Sequence, residues 1–344
     1  MKIDKFRNKE FVNREKEIKY LIDRFENVPE EILWLFGPKS TGKTTLIEYI
    51  IEKKLKKHWV KYINFRGLMV SNYHDFVSAF FEEKDEEAQE LKRKYKLGVF
   101  ELEAKTLKKI RENKINLFNE LIEELKKIKK TKLIVIDEIQ TLEDIYLNED
   151  KYLLKEFLNF CVRLTKELHL AHVVILSSNT LFINQIYNEA KLKVTSEFKE
   201  INHMNKEATF EYLEIKGIKE KELVWDYLGG TIAQIQKMLF KSKYFNTLKE
   251  YLDSELELAV GEIRFFMIKK CNQEEIKIFK QIAKEIFEND EFHIVETSEN
   301  KDQIMAVVEK FSEIEFLFYN PLNNKITANN RLYYKAFETF IKDM

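Results

Sequence analysis

The sequence predicts an α/β protein: a parallel sheet flanked by helices around a phosphate-binding loop, then an all-helical lid, then a winged-helix-like C-terminal domain. Three observations carry this. The stretch Gly37-Pro38-Lys39-Ser40-Thr41-Gly42-Lys43-Thr44 fits Gly-x-x-x-x-Gly-Lys-[Ser/Thr], with apolar Ile32 to Phe36 before it and Thr45 to Ile51, apolar at helical spacing, after it. Strand, glycine loop and helix is the context in which that pattern cradles phosphate. The run Lys132-Leu133-Ile134-Val135-Ile136-Asp137-Glu138 is a strand buried on both faces that ends in two carboxylates. From Lys206 onward the chain loses its strands, turns helical, and closes with helices, a hairpin and a helix.

Composition limits what such a fold can do. The chain has 344 residues, 44% hydrophobic and 34% charged, enough for two or three domains. Its 58 basic and 59 acidic residues leave a net charge of −1, so bulk charge gives no reason to expect nucleic acid. No apolar run reaches membrane-span length and Met-Lys-Ile-Asp-Lys is no signal peptide, so no membrane and a cytoplasmic location are expected. Cys161 and Cys271 lie on apolar helical patterns, which suits a reduced compartment. The histidines show no metal-ligand spacing; His169 and His172 read as structural. Abundant Lys and Glu with 8 Gly and 3 Pro suit an ion-paired thermophile surface, or an AT-rich genome.

The chemistry follows from the loop. Its backbone N–H groups point at the β-phosphate, and the following helix adds partial positive charge. Lys43 reaches the β- and γ-phosphates, the Thr44 hydroxyl ligates Mg²⁺, and Thr45 lies one residue into the helix. Ligands of a doubly wound sheet sit at the carboxyl ends of its strands. Asp137 therefore arrives at the metal and Glu138 at an attacking water, as general base. The bland alternative is a solvated acidic turn.

In order, Phe11 to Ile18 opens a helix with Asn13 as its N-cap and Ile18, Leu21, Ile22 and Phe25 on its apolar face. Lys53 to His58 is a basic helix end that complements the dipole. Val60 to Phe65 is a strand, with Arg66 at its end. Asp75 to about Lys130 is helical throughout, partly as an insertion; the charged Glu82 to Lys96 is a solvated face or connector. Thr141 to Leu170 is one helix burying Tyr152, Leu153, Phe157, Phe160, Cys161 and Leu164. Val173 to Leu176 is a strand whose tip offers Ser178 or Asn179 to the attacking water or γ-phosphate, or else an ordinary helix N-cap. Glu197 to Ile201 is the last strand. The domains are then a P-loop ATPase core over 1–205 with its insertion at about 75–130, a helical lid over 206–258, and a winged-helix-like domain over 259–344.

The order Phe-x-Asn-Arg-Glu-x-Glu-Ile, P-loop, Ile-Asp-Glu strand, polar strand tip and Gly229-Gly230 lid resembles the archaeal ATPase family of STAND NTPases, relatives of AAA+ proteins and of archaeal origin-recognition ATPases. The resemblance covers about residues 8–245. It implies ATP bound between core and lid, with Phe11, Val12 and Arg14 near the adenine side. Where family members carry a Leu-Tyr-Gly-Arg-like stretch, this chain has Ala190 to Thr195, with Lys191 and Lys193 and no arginine.

The leading expectation is an ATP/ADP-dependent conformational switch with slow Mg²⁺-dependent hydrolysis, acting on a protein partner or on a second copy of itself. Its alternatives are a DNA-binding ATPase and a small-molecule kinase. From Val260 onward there are 12 basic and 15 acidic residues, which does not favour DNA. Asp137-Glu138 suits water activation better than phosphoryl transfer to an acceptor.

Overall fold

The computed structural model describes residues 3–7, 9–12, 14–66, 70–83, 100–102, 104–112, 115–143, 145–147, 151–189, 192–294 and 300–342. Its centre is a five-stranded parallel sheet in the order Ser196–Glu200, Ile32–Phe36, His172–Ser177, Lys132–Asp137, Trp59–Asn64. Asn64 pairs with Asp137, Leu176 with Asp137, and Ser177 with Phe36, so the carboxyl ends finish level on one edge.

Both faces of the sheet are covered. Alternation along Ile32–Phe36 sends Ile32, Trp34 and Phe36 into one buried cluster and Leu33 and Leu35 into the other. The first cluster is rich in aromatic rings, with Phe65, Phe76, Phe80 and Phe157 packed edge-on or stacked. The second holds the loop helix Lys43–Lys53 and the helix Glu15–Glu26 through Leu46, Ile47, Ile50, Leu21 and Phe25.

Four sequence expectations are corrected. Phe11 and Val12 do not open a helix; they end the strand Lys9–Val12, which pairs antiparallel with Ile3–Phe6. This hairpin forms because Phe6 and Phe11 both pack on Tyr49, Phe11 stacked at 4.2 Å. Arg14 then caps the helix without a side-chain bond, and Asn13 lies outside the described residues. The region after Asp75 is not helical throughout: Phe81–Glu83 pairs parallel with Phe100–Leu102, and most of the charged stretch lies outside the described residues. Nor is Thr141 to Leu170 one helix. A 3₁₀ turn at Ile139–Leu142 and a short hairpin precede Leu153–Val162, and a π-helical turn follows at Arg163–Glu167. Tyr152 consequently sits on that hairpin, exposed rather than buried.

Beyond the sheet come the lid helices Lys206–Ile215, Lys221–Leu228 and Ile232–Lys241. The expected boundary at 258/259 falls inside one continuous helix, Leu248–Lys270. It runs into helices Gln273–Asn289, Lys301–Glu313 and Arg331–Lys342, with a three-stranded antiparallel sheet in the order Phe292–His293, Lys325–Ala328, Leu317–Asn320. Lid residues Tyr212, Val224 and Leu228 share one buried cluster with Phe279, Phe311 and Phe337. Among the described residues no helix is long and apolar enough to cross a membrane.

Candidate nucleotide-binding site

The phosphate-binding loop is shaped by two glycines. Gly37, at the end of its strand, has φ of +143°, and a Cβ there would stand 2.3 Å from the Ile201 carbonyl oxygen. Only glycine lets the neighbouring segment pass that close. Gly42 has φ of +87° and starts the helix Lys43–Lys53. Inside the loop, Lys43 is 8% exposed. Its ammonium donates to the carbonyls of Gly37 at 2.8 Å and Pro38 at 2.9 Å. Burial pulls it down to about 8, against the opposing pull of Asp137, Glu138 and Glu315. The Thr41 hydroxyl donates to the Pro38 carbonyl at 3.1 Å.

Strand and loop meet at Asp137. The Thr44 hydroxyl donates to Asp137 Oδ2 at 3.1 Å, and so does the Tyr62 hydroxyl at 2.8 Å. Tyr62 comes from the adjacent strand; burial and the neighbouring carboxylate push its phenol up. Hydroxyl and carboxylate oxygens on opposite walls are the hard donors Mg²⁺ takes, and Mg²⁺ completes its shell with water and phosphate rather than a protein cage. These residues fit that ion. Among the described residues no group of three or more His, Cys, Asp and Glu forms another metal site.

Glu138 follows with φ of +61°, in the left-handed region. Its carboxylate is held on both sides, by Arg66 Nη2 at 2.8 Å and by Gln140 Nε2 at 2.6 Å. At the tip of the neighbouring strand, Asn179 Oδ1 accepts from the Phe182 N–H at 3.0 Å, the geometry of a helix N-cap. Its own N–H donates to Ser177 Oγ at 3.1 Å.

The opening segment is divided. Arg14, 7% exposed, donates from Nη2 to the Thr41 carbonyl at 2.6 Å and the Asn202 carbonyl at 2.8 Å, so it braces the loop from below. Phe11 turns to Tyr49, while Val12 joins the lid cluster. Glu10 accepts from the Tyr212 hydroxyl at 2.6 Å and from Lys216, which ties this strand to the lid. Lys191 lies outside the described residues, as does the Lys193 side chain; Arg163 donates to Asn119 at 3.3 Å on the surface.

The outer side of the loop meets the C-terminal hairpin. Lys39 N–H donates to Asn329 Oδ1 at 3.2 Å, and the Lys39 ammonium pairs with Glu315. Asn320 Nδ2 donates to Glu200 at 3.1 Å, and Phe318 enters the aromatic cluster of the core. A cavity of about 460 Å³ runs between core, lid and hairpin, bounded by Pro38, His203, Thr231, Asn329 and Arg331 among others. His203 Nε2 donates to the Asn329 carbonyl at 3.1 Å, which leaves Nδ1 as an acceptor without a partner among the described residues. Thr231 Oγ1 and Arg331 Nε are likewise unpartnered there. Burial lowers His203 to about 4, so the ring is neutral. Sequence reasoning missed Tyr62, His203, Asn329 and Arg331. Only the alternation of Val60 to Phe65 could have pointed to Tyr62; the others come to the loop through tertiary packing.

Comparison with known proteins bears on the family and the fold. Residues 11–238 match the model of an ATPase domain found predominantly in Archaea. An uncharacterized ATP-binding protein of Methanocaldococcus jannaschii is 33% identical, with 96% of each chain covered. One of Pyrococcus abyssi is 30% identical, covering 97% of this chain and 98% of that protein. A Walker-type ATPase of Pyrococcus abyssi superposes with a TM-score of 0.63 at 15% identity, covering 95% of this chain and 96% of the other. The Aeropyrum pernix ORC2 protein, solved with ADPNP and ADP, gives 0.53 at 13% identity over 97% of this chain and 95% of its own. The likeness to these two structures is one of fold.

Proposed function

The chain belongs to this predominantly archaeal ATPase family, and from that premise we propose that it binds Mg-ATP between core and lid and works as a nucleotide-driven switch with slow hydrolysis. One observation carries the switch: the same loop that would hold the phosphates is tied, through Lys39, to Asn329 and Glu315, which flank the C-terminal hairpin. A γ-phosphate drawing on the loop's amides competes with Asn329 for the Lys39 N–H. ADP offers no such competitor. That difference in contacts is what a nucleotide needs in order to shift a two-state equilibrium.

In this reading Lys43 neutralises the β- and γ-phosphates. Thr44 and Asp137 hold Mg²⁺, which would offset developing negative charge on the phosphoryl oxygens. Glu138 takes a proton from the attacking water once it leaves Arg66 and Gln140. Ser178 and Asn179 stand near enough to the strand tip to orient that water. Thr45 continues the loop helix beneath the phosphates. Hydrolysis is slow because Glu138 starts engaged with Arg66, and among the described residues Arg331 lies over the Tyr334 ring at 4.1 Å rather than bonded to the loop. Faster turnover awaits a protein partner or second copy.

DNA binding has less support. The hairpin that would serve as a wing faces inward, with Lys325 paired to Glu291. A flat salt titration with duplex DNA is expected. The decisive experiment for the switch is a distance measured by pulsed electron resonance between spin labels at the exposed Lys56 and Asn323. A shift with a non-hydrolysable ATP analogue relative to ADP is expected. Identical distributions in both states would remove the switch.

A further inference from the structure

The helix Leu248–Lys270 carries an apolar stripe that the fold does not use. Leu258, Phe265 and Ile268 are 62%, 65% and 77% exposed. The opposite face buries Ala259, Val260, Ile263 and Met267 in the shared core of lid and C-terminal module. Gly261 lies within the stripe, and a Cβ built there meets nothing within 4 Å. Leu258, Gly261, Phe265 and Ile268 step by three, four and three residues. That is the spacing of a coiled-coil seam, with apolar residues at a and d.

The order of steps is the same from either end. We propose that the stripe is a homodimer seam in which two copies pair antiparallel about a two-fold axis level with Ile263. Leu258 then meets Ile268 of the second copy. The Phe265 ring, the largest group on the stripe, lies over Gly261 of the second copy, the one position with no side chain. Each knob has its hole, and the match needs no other protein.

Charge selects the antiparallel sense. Glu262 and Lys269 flank one side of the stripe, Glu257 and Arg264 the other. In a parallel pair, Glu257 faces Glu262 of the second copy and Arg264 faces Lys269, so every flanking contact is between like charges. Reversing one helix separates both of these pairs. Helical side chains lean toward their own N-terminus. Glu262 and Lys269 of the second copy therefore lean toward each other, and symmetry supplies the pair twice. On the other flank the two Arg264 side chains approach across the axis, each resting over the Phe340 ring of its own copy at 5.8 Å, so the favourable charge contacts come from the Glu262 side.

The seam is short. It falls below a standard interface of about 1,600 Å², so the dimer is weak, with Kd on the order of 10–100 μM. The test is sedimentation velocity of the full chain from about 1 to 300 μM, a range that brackets that constant. Wild type should pass from monomer to dimer. Phe265→Glu should remain monomeric throughout. Glu262→Lys should weaken the dimer about tenfold, and Glu262→Lys with Lys269→Glu should restore it. A wild type that stays monomeric overturns the proposal, as does a dimer that persists in Phe265→Glu. A charge swap that fails to restore the dimer overturns the antiparallel register.

Discussion

Two lysines of the phosphate-binding loop are four residues apart and are held in different ways. Lys43 is buried and bonded to carbonyls of its own loop, five and six residues back. Lys39 is half exposed; its backbone is bonded to Asn329 and its side chain to Glu315, residues that flank a hairpin far along the chain. The side-chain bonds of Lys43 at the inner end of the loop are thus made within local sequence. The outer end is built by tertiary docking and changes whenever that docking changes. A single loop in this way joins a locally bonded element to one bonded through tertiary contacts.

If the inner end is the chemical one, the largest effects belong there. Glu138→Gln should slow hydrolysis about 10²–10⁴-fold with ATP affinity unchanged, as measured by phosphate release and calorimetry. A wild-type rate would make Glu138 a bystander held by Arg66. Lys43→Ala should weaken Mg-ATP binding by about 100-fold or more, since two charge-assisted hydrogen bonds are lost in a dry loop. Unchanged affinity would end the distinction between the two lysines.

A smaller effect sharpens it. With burial holding Lys43 at about 8, the nucleotide-free loop keeps its positive charge below that pH and loses it above. Apparent ATP affinity should fall about tenfold between pH 7 and pH 9. The sign for stability is opposite. The folded value lies below the 10.5 of an ordinary lysine, so between the two the unfolded chain binds more protons and the nucleotide-free fold gains stability as pH rises. Calorimetric melting across that window reads the gain. An ATP affinity that is flat to pH 9 would argue that Lys43 is not the desolvated ammonium.

The smallest expected change lies at the outer end. Asn329→Ala frees the Lys39 N–H for a γ-phosphate, and one hydrogen bond is worth about 0.5–1.5 kcal/mol. The variant should bind ATP roughly two- to tenfold more tightly relative to ADP. Weaker ATP binding would show that the hairpin completes the site rather than competing with it.

Legibility divides along the same line. The loop, its helix and the Asp137 strand were readable because their signals are contiguous: glycines where φ is positive, aliphatic runs where both sheet faces are covered. The lid helices were readable from periodicity. The hairpin Ile3–Val12 was missed because its pairing depends on Tyr49, a residue on another element. The continuity of Leu248–Lys270 across the expected boundary was not readable, because its buried positions run over nearly its whole length and no local composition change marks them. Asn179 left two readings open, and the contact it makes is that of the cap. Asn329 and Arg331 gave no signal at all, since an Asn-Asn-Arg run reads only as a turn entering a helix.

The strand order also has a consequence in time. Ile32–Phe36 is completed on one edge by His172–Ser177 and on the other by Ser196–Glu200, and at position 37 only glycine fits against Ile201. During synthesis at about 5–20 residues per second, this uncharged strand waits roughly 10–30 s for its second neighbour. Such a stretch is an aggregation hazard while it waits. Glu30 and Glu31 stand directly before it and Lys39 three residues after it. Charges in those places act as gatekeepers for the nascent chain, and Lys39 holds that post on the ribosome well before Asn329 has been translated.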